Sequence, residues 1–249
     1  MISKARIKQI HGLERKKNRL AEGLFVAEGP KLVGELLATM TPRYIAATEQ
    51  WLHEQGGNIG SVETDTVSEG ELQRASLLQH PQEVIALFAI PHDEADLNRI
   101  AQKELALALD GVQDPGNMGT ILRLADWFGI RHVFCSPDSV DVFNPKAVQA
   151  TMGALARVKV HYIDLPKQLS QTTVPVYGTF LDGDNIYQHH LSPNGIIVMG
   201  NEGRGISKET ASCVTDRLYI PPYPAQSQTV ESLNVAIATA IVCSEFRRR

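Results

Sequence analysis

Short apolar runs alternate with amphipathic segments along the whole chain, and that alternation restricts the fold more than any other feature. In the first ninety or so residues a basic amphipathic helix is expected over about Ser3–Asn18, followed by a strand at "LFVAEG" and a helix at "PKLVGELLATM". A strand at "RYIAAT", a short helix at "EQWLHEQ" and a closing strand at "EVIALFAIP" complete that half. The second half alternates in the same way, with strands expected at "LALALD", "HVFCSP", "VKVHYI", "VPVYGTF", "GIIVMG" and "RLYIP". Helices fall between them near Met118–Phe128, Pro145–Leu155, Lys167–Thr172, Lys208–Val214 and Ser232–Arg247. Alternation of this kind implies an α/β fold, and apolar runs without clean polar alternation imply a parallel sheet covered on both faces. The polar segment "HDEADLNRIAQKE" has little to bury, so the boundary is set there, giving domains at residues 1–98 and 99–249.

Composition narrows the class. At 249 residues, 43% hydrophobic and 21% charged, the chain has the make-up of an ordinary soluble globular protein with a sizeable core. Its start is basic and polar, with no apolar stretch of a signal peptide behind it. The longest small-apolar run, "VAIATAIVC", is far short of the ~20 residues that cross a bilayer. Cys135, Cys213 and Cys243 are odd in number and widely spaced, which suits neither a disulfide framework nor a zinc site. A cytoplasmic protein with no metal and no membrane attachment is therefore expected. The net charge of −4 hides an asymmetry. Lys4, Arg6, Lys8, Arg15, Lys16, Lys17 and Arg19 crowd the first twenty residues against a single acid, Glu14, and Arg247–Arg249 close the chain. A basic arm on an acidic body is a footprint for a polyanion such as RNA; a solvated helix face is the equal alternative from charge alone.

Three loops at expected strand ends carry unusual chemistry. "DPGNMG" follows the strand ending at Asp110, "MGNEGRGIS" follows the "GIIVMG" strand, and "YIPPYPAQSQTVESLN" leads into the last helix. Ligands of open α/β sheets bind outside the carboxyl ends of strands, where three such loops can converge. Neither the dinucleotide fingerprint nor the P-loop is present. Taken singly, the glycines read as a tight turn, Asn117 as a helix cap, and Ser232 and Asn234 as caps of the last helix. Arg123 lies opposite the apolar stripe of Ile121, Leu124, Ala125 and Phe128, three residues before Asp126, where an exposed ion pair is the plain reading.

Taken together, "DPGNMGTILRLADWFG", "GIIVMGNEGRGIS" and "YIP…ESLNVAIATA" closely resemble, in order and wording, the three motifs of the SpoU branch of the SPOUT RNA methyltransferases, over about Leu105 to Phe246. "KNRLAEGLFVAEGPKLVGELL" is similar to that family's substrate-binding domain, itself similar to small RNA-binding ribosomal proteins. The resemblance implies a C-terminal domain tied in a deep trefoil knot, S-adenosylmethionine as cofactor, a homodimer as working unit, and methyl transfer to a ribose 2′-hydroxyl of structured RNA. A cofactor without phosphates explains the missing phosphate loops. Carried over, Gly200, Ile220 and Leu233 match positions whose backbone groups bind the cofactor. Glu202, Ser232 and Asn234 match polar residues that organise the site, and Asn117 and Arg123 match the catalytic pair of the first motif. One departure stands out: Ile220 and Ser232 are twelve positions apart with three prolines and no glycine between, longer than the family's usual stretch.

The substrate-binding domain favours ribosomal over transfer RNA as the target. The rival readings are a non-catalytic RNA-binding protein that kept the fold, which the intact motifs oppose, and a nicotinamide-dependent oxidoreductase, which the missing fingerprint opposes.

Overall fold

The computed structural model describes residues 1–224, 227 and 232–248, with residues 56–58 described by their backbone alone. The chain forms two compact units, one of residues 1–92 with 141–157, the other of residues 93–140 with 158–249.

The first unit opens with two helices, α1 (Lys4–Gly12) and α2 (Lys16–Glu22), where one was expected. The break has a local cause: the buried Arg19 guanidinium donates to the carbonyls of Leu13 (2.7 Å) and Glu14 (2.8 Å), the residues a continuous helix would run through. Then follow β1 (Leu24–Glu28), α3 (Pro30–Leu37), β2 (Pro42–Ala47), α4 (Glu49–Ile59), β3 (Thr64–Thr66), α5 (Glu69–Ala75) and β4 (Val84–Ala89). The strands make one sheet of order β1-β4-β2-β3, antiparallel except for the β2–β3 pair. Strand periodicity splits its side chains between two cores. Phe25, Ala27, Ile45, Ala86 and Phe88 join α3 and α4 on one face, and Val26, Tyr44, Ala46, Ile85 and Leu87 join α1 and α5 on the other. β3 and α5 escaped the sequence reading, although Ser68 and Glu71 form a reciprocal capping box at the start of α5.

The remainder of the first unit comes from the middle of the chain. Helix α8 (Pro145–Thr151) and the 3-10 turn Ala154–Ala156 bring Val148, Phe143 and Leu155 into the α3 face of the core. Asp141 accepts from Arg19 Nη2 (2.5 Å) and Nε (3.1 Å), and Arg157 pairs with Glu35 (2.7 Å).

The second unit holds α6 (Leu97–Ala101), β5 (Leu105–Asp110), α7 (Pro115–Trp127), β6 (His132–Cys135), β7 (Lys159–Tyr162), α9 (Leu165–Leu169), β8 (Val176–Asn185), β9 (Gly195–Gly200), α10 (Lys208–Ala211), β10 (Asp216–Tyr219) and α11 (Val235–Arg248). All six strands are parallel, in the order β10-β8-β9-β5-β6-β7. Every residue of β5 is buried, as a sheet covered on both faces requires. Helix α6 lies inside the segment expected to have little to bury; Leu97 and Ala101 reach the core beside Ala106 and Ala108 of β5. Two inward side chains in so short a helix leave almost no periodic signal. Among the described residues, no helix is long and apolar enough to cross a membrane.

Candidate active site

Strand order runs from β5 through β6 to β7 on one side, while β9, β8 and β10 lie on the other, so the winding reverses between β5 and β9. Loops leaving the carboxyl ends of such a pair open a crevice. Asp110, the last residue of β5, is paired with Gly200, the last of β9.

The first loop sets Asn117. Asp114, not Asn117, caps α7: its Oδ1 accepts the Asn117 backbone N–H (2.7 Å), and Pro115 follows at the first helical position. The Asn117 side chain is thereby released from capping and stands in the first turn. Its Nδ2 donates to Glu202 Oε1 (2.9 Å), and its Oδ1 accepts from Asn234 Nδ2 (3.0 Å). Asn234 does both jobs the sequence suggested. Its Oδ1 caps α11 by accepting from Ala236 (2.9 Å) and Ile237 (3.3 Å), while its amide reaches Asn117. One residue from each of the three motif loops therefore meets in a single hydrogen-bonded chain, Asn234 to Asn117 to Glu202.

The β5 and β9 loops are also tied beneath this chain. Asp110 Oδ2 accepts from the backbone N–H (2.8 Å) and hydroxyl (2.7 Å) of Ser207, and Asn201 Nδ2 donates to the Gly111 carbonyl (2.7 Å). A Cβ at Gly200 would stand 2.3 Å from the backbone of Gly205 and Ile206, so only glycine lets the loop fold back against the strand end. Sequence reading singled out neither Asp110 nor Ser207; a carboxylate closing an apolar strand was the available signal.

The other sequence-selected residues are placed less tightly. Ser232 and Leu233 are exposed just before α11, and Ile220 is half-buried just after β10. Of the longer stretch between them, residues 221–224, with all three prolines, and residue 227 are described, while residues 225, 226 and 228–231 lie outside the described residues. Arg123 is exposed on α7. Six residues separate it from Asn117, which places it roughly 9 Å along the helix and about 120° around it. It does not join the hydrogen-bonded chain.

The basic arm divides. Lys4, Lys8, Arg15, Lys16 and Lys17 are exposed. Arg19 departs from the expected RNA-facing role, since it is 1% exposed and bonded to Asp141, Leu13 and Glu14. Arg6 is also engaged, stacked 4.0 Å over the Tyr44 ring and paired with Glu63 and Gln9.

Among the described residues, no group of three or more His, Cys, Asp or Glu is arranged to hold a metal. The set at the crevice (the exposed Glu202 carboxylate, the carboxamides of the half-buried Asn117 and the exposed Asn234, and the apolar Leu233, 46% exposed) suits a cofactor with a cationic centre and an aromatic ring rather than a polyphosphate.

The chain resembles known proteins over both of its units. The model of the SpoU rRNA methylase family matches residues 104–244, and that of the MRM3-like substrate binding domain matches residues 4–86. The chain is 30% identical over 247 residues to the 23S rRNA (guanosine(2553)-2′-O)-methyltransferase RlmP of Bacillus subtilis, covering 97% of this chain and 96% of that one. A TrmH-family protein from Porphyromonas gingivalis superposes with a TM-score of 0.90 at 46% identity, covering 100% of this chain and 99% of that one. The AdoMet-bound rRNA methyltransferase of Sinorhizobium meliloti does so with a TM-score of 0.85 at 29% identity, covering 100% and 96%. With its three motif loops joined at one sheet edge and more than half its length matched, the chain belongs to the SpoU rRNA methylase family.

Proposed function

We propose that this protein transfers a methyl group from S-adenosylmethionine to a ribose 2′-hydroxyl of structured RNA, with ribosomal RNA as the substrate. The observation that carries the reading is the hydrogen-bonded chain from Asn234 through Asn117 to Glu202 at the switch point of the parallel sheet. The names of the relatives support the choice of ribosomal RNA.

Backbone groups of Gly200, Ile220 and Leu233 hold the cofactor in this reading, beside the exposed Leu233 side chain. When bound, S-adenosylmethionine supplies an activated methyl group on a cationic sulfonium. The protein's part is then to bring the ribose oxygen into line and to exclude other geometries. Glu202 fixes the Asn117 amide, and Asn117 in turn fixes Asn234 at the head of α11. Ser232 lines the same loop. Arg123 acts by offering its planar, charged guanidinium to a phosphate beside the target ribose and by favouring the developing alkoxide.

The exposed arm residues Lys4, Lys8, Arg15, Lys16 and Lys17 supply RNA affinity, with residues 1–92 as the RNA-binding domain, six residues shorter than the 1–98 expected, and the 141–157 excursion completing its core. The working unit is a homodimer in the cytoplasm. Support for association comes from large apolar side chains left exposed on the second unit, Trp127 at 84% and Ile237 at 53%. A trefoil knot is supported by the course of the chain after β10. That strand lies at the sheet edge beside β8, yet Asn234 is already back at Asn117 beside the central β5. A Cβ on Gly183 of β8 would stand 2.7–2.8 Å from the backbone of Arg217 and Leu218.

Calorimetry with S-adenosylmethionine and mapping of 2′-O-methyl sites in RNA from cells with and without the protein test the reading. Saturable cofactor binding and one site lost from ribosomal RNA are expected. No heat with millimolar cofactor would end the assignment, and a single site lost from a transfer RNA would move the substrate.

A further inference from the structure

Asn201 sits between the strand-end Gly200 and Glu202, and none of the proposed roles uses it. Its backbone closes the loop on itself, donating to Gly205 O (3.0 Å) and accepting from Gly205 N–H (2.9 Å). Its side chain has two separate engagements. Oδ1 accepts the N–H of Gly203 (2.9 Å) and of Arg204 (3.0 Å), which shapes the turn. Nδ2 leaves that turn and donates across to the Gly111 carbonyl (2.7 Å), at the start of the loop that carries Asn117.

Gly111 is itself a held group. It is buried with φ +74°, its N–H donates to Ser136 Oγ (2.8 Å), and Ser136 Oγ donates on to Asp138 Oδ1 (2.5 Å). The carbonyl that receives Asn201 is therefore fixed from behind. Glu202 follows Asn201 directly and projects from the same closed loop to Asn117, 2.9 Å away.

We infer that Asn201 is a positioning residue for methyl transfer: its amide latches the β9 loop to the Gly111 carbonyl and so sets the Glu202 carboxylate against Asn117. The latch works across the two loops, whereas the Oδ1 bonds work only within one. A local role in folding the turn and a role in aligning the site are therefore separable by chemistry. Asn201→Asp keeps an oxygen for the Gly203 and Arg204 N–H groups, removes the donor, and sets a carboxylate oxygen against the Gly111 carbonyl. The inference rests on the methyltransferase reading, and wild-type activity on ribosomal RNA is the prior control. If the wild-type protein transfers no label from S-adenosylmethionine, that reading fails before Asn201 is tested.

Given an active wild type, Asn201→Asp is expected to lose kcat by on the order of 10²-fold, as small misplacements of a positioned group do. Cofactor Kd and RNA KM should stay close to wild type, and the protein should remain fully folded at the assay temperature. In single-turnover assays the double variant Asn201→Asp/Glu202→Gln should be no slower than Glu202→Gln alone, because a residue acting through Glu202 has nothing left to align. Wild-type kcat in Asn201→Asp would overturn the inference. So would a loss confined to KM, a loss that tracks unfolding at the assay temperature or weaker cofactor binding, or independent, multiplying losses in the double variant.

Discussion

Arg123 and Asn117 occupy one helix and one motif, yet the fold treats them differently. Asn117 is held on both sides, by Glu202 and by Asn234, while Arg123 stands exposed on another face of α7. An exposed arginine is cheap to remove, at less than ~0.5 kcal/mol. Arg123→Ala should therefore fold and bind cofactor as wild type does while losing most methyl transfer. Arg123→Lys separates a bidentate phosphate clamp, which lysine cannot form, from a general need for positive charge, which it can meet. Single-turnover rates with saturating RNA decide between them, and a wild-type rate in Arg123→Ala would remove this residue from the mechanism. Arg19 is the contrasting case in the same basic class. Its buried pair with Asp141 makes Arg19→Ala a folding variant, expected to cost about 3–5 kcal/mol in urea unfolding because Asp141 is left unpaired.

Among the elements, the α1–α2 arm and the β6–β7 edge give predictions of different kinds. Replacing Lys4, Lys8, Arg15, Lys16 and Lys17 by glutamine should weaken RNA binding and lower the slope of log affinity against log salt by ~1 for each phosphate no longer neutralised. Cofactor affinity should not change. Unchanged RNA affinity would take the footprint away from the arm. At the amino-terminal edge of the parallel sheet, His132 and His161 stack with ring nitrogens 3.1 Å apart, beside a cavity of about 370 Å³ also lined by Glu104, Asp93 and Lys159. Burial holds both imidazoles below their ordinary value of 6.5, with Glu104 opposing it at His132, Asp93 opposing it at both, and the nearby Lys159 adding to it at both. The neutral forms are thus favoured by folding. Their contribution is present above the unfolded value near 6.5 and is lost as the pH falls from there through the lowered folded values. Melting temperature should drop as the pH falls below about 6.5, and His161→Asn should flatten that dependence. An equal drop in the variant would place the acid sensitivity elsewhere.

At the scale of the molecule, the chain visits its first unit twice. The excursion at 141–157 delivers Val148, Phe143 and Leu155 to the α3 core and Asp141 to Arg19. Gly153 comes so near α3 that a Cβ there would stand 2.5 Å from Glu35 Cβ. A fragment of residues 1–98 lacks all of these partners. It should bind a hydrophobic dye and unfold in urea with a broader, earlier transition than the first unit of the full chain. A sharp transition with no dye binding would show that the N-terminal segment is self-sufficient.

Much of this was legible in one dimension. Alternation determined the α/β class and a parallel second sheet, because strands covered on both faces must be apolar throughout, as "LALALD" is. The three loops with their Asn, Glu and Asn determined the chemistry and, by resemblance, the family. What tertiary structure alone decided concerns partners distant in sequence. Asn117 meets a residue 85 positions away and another 117 positions away. Arg19 finds its carboxylate 122 positions away, turning a residue that reads as basic surface into a buried strut. The α8 segment crosses to a sheet that its neighbours in sequence do not build. Local pattern reports which face of an element is apolar, since that depends on residues three or four apart. Which buried cation is paired, and which loop meets which, depends on how the sheets wind, and periodicity carries no record of it.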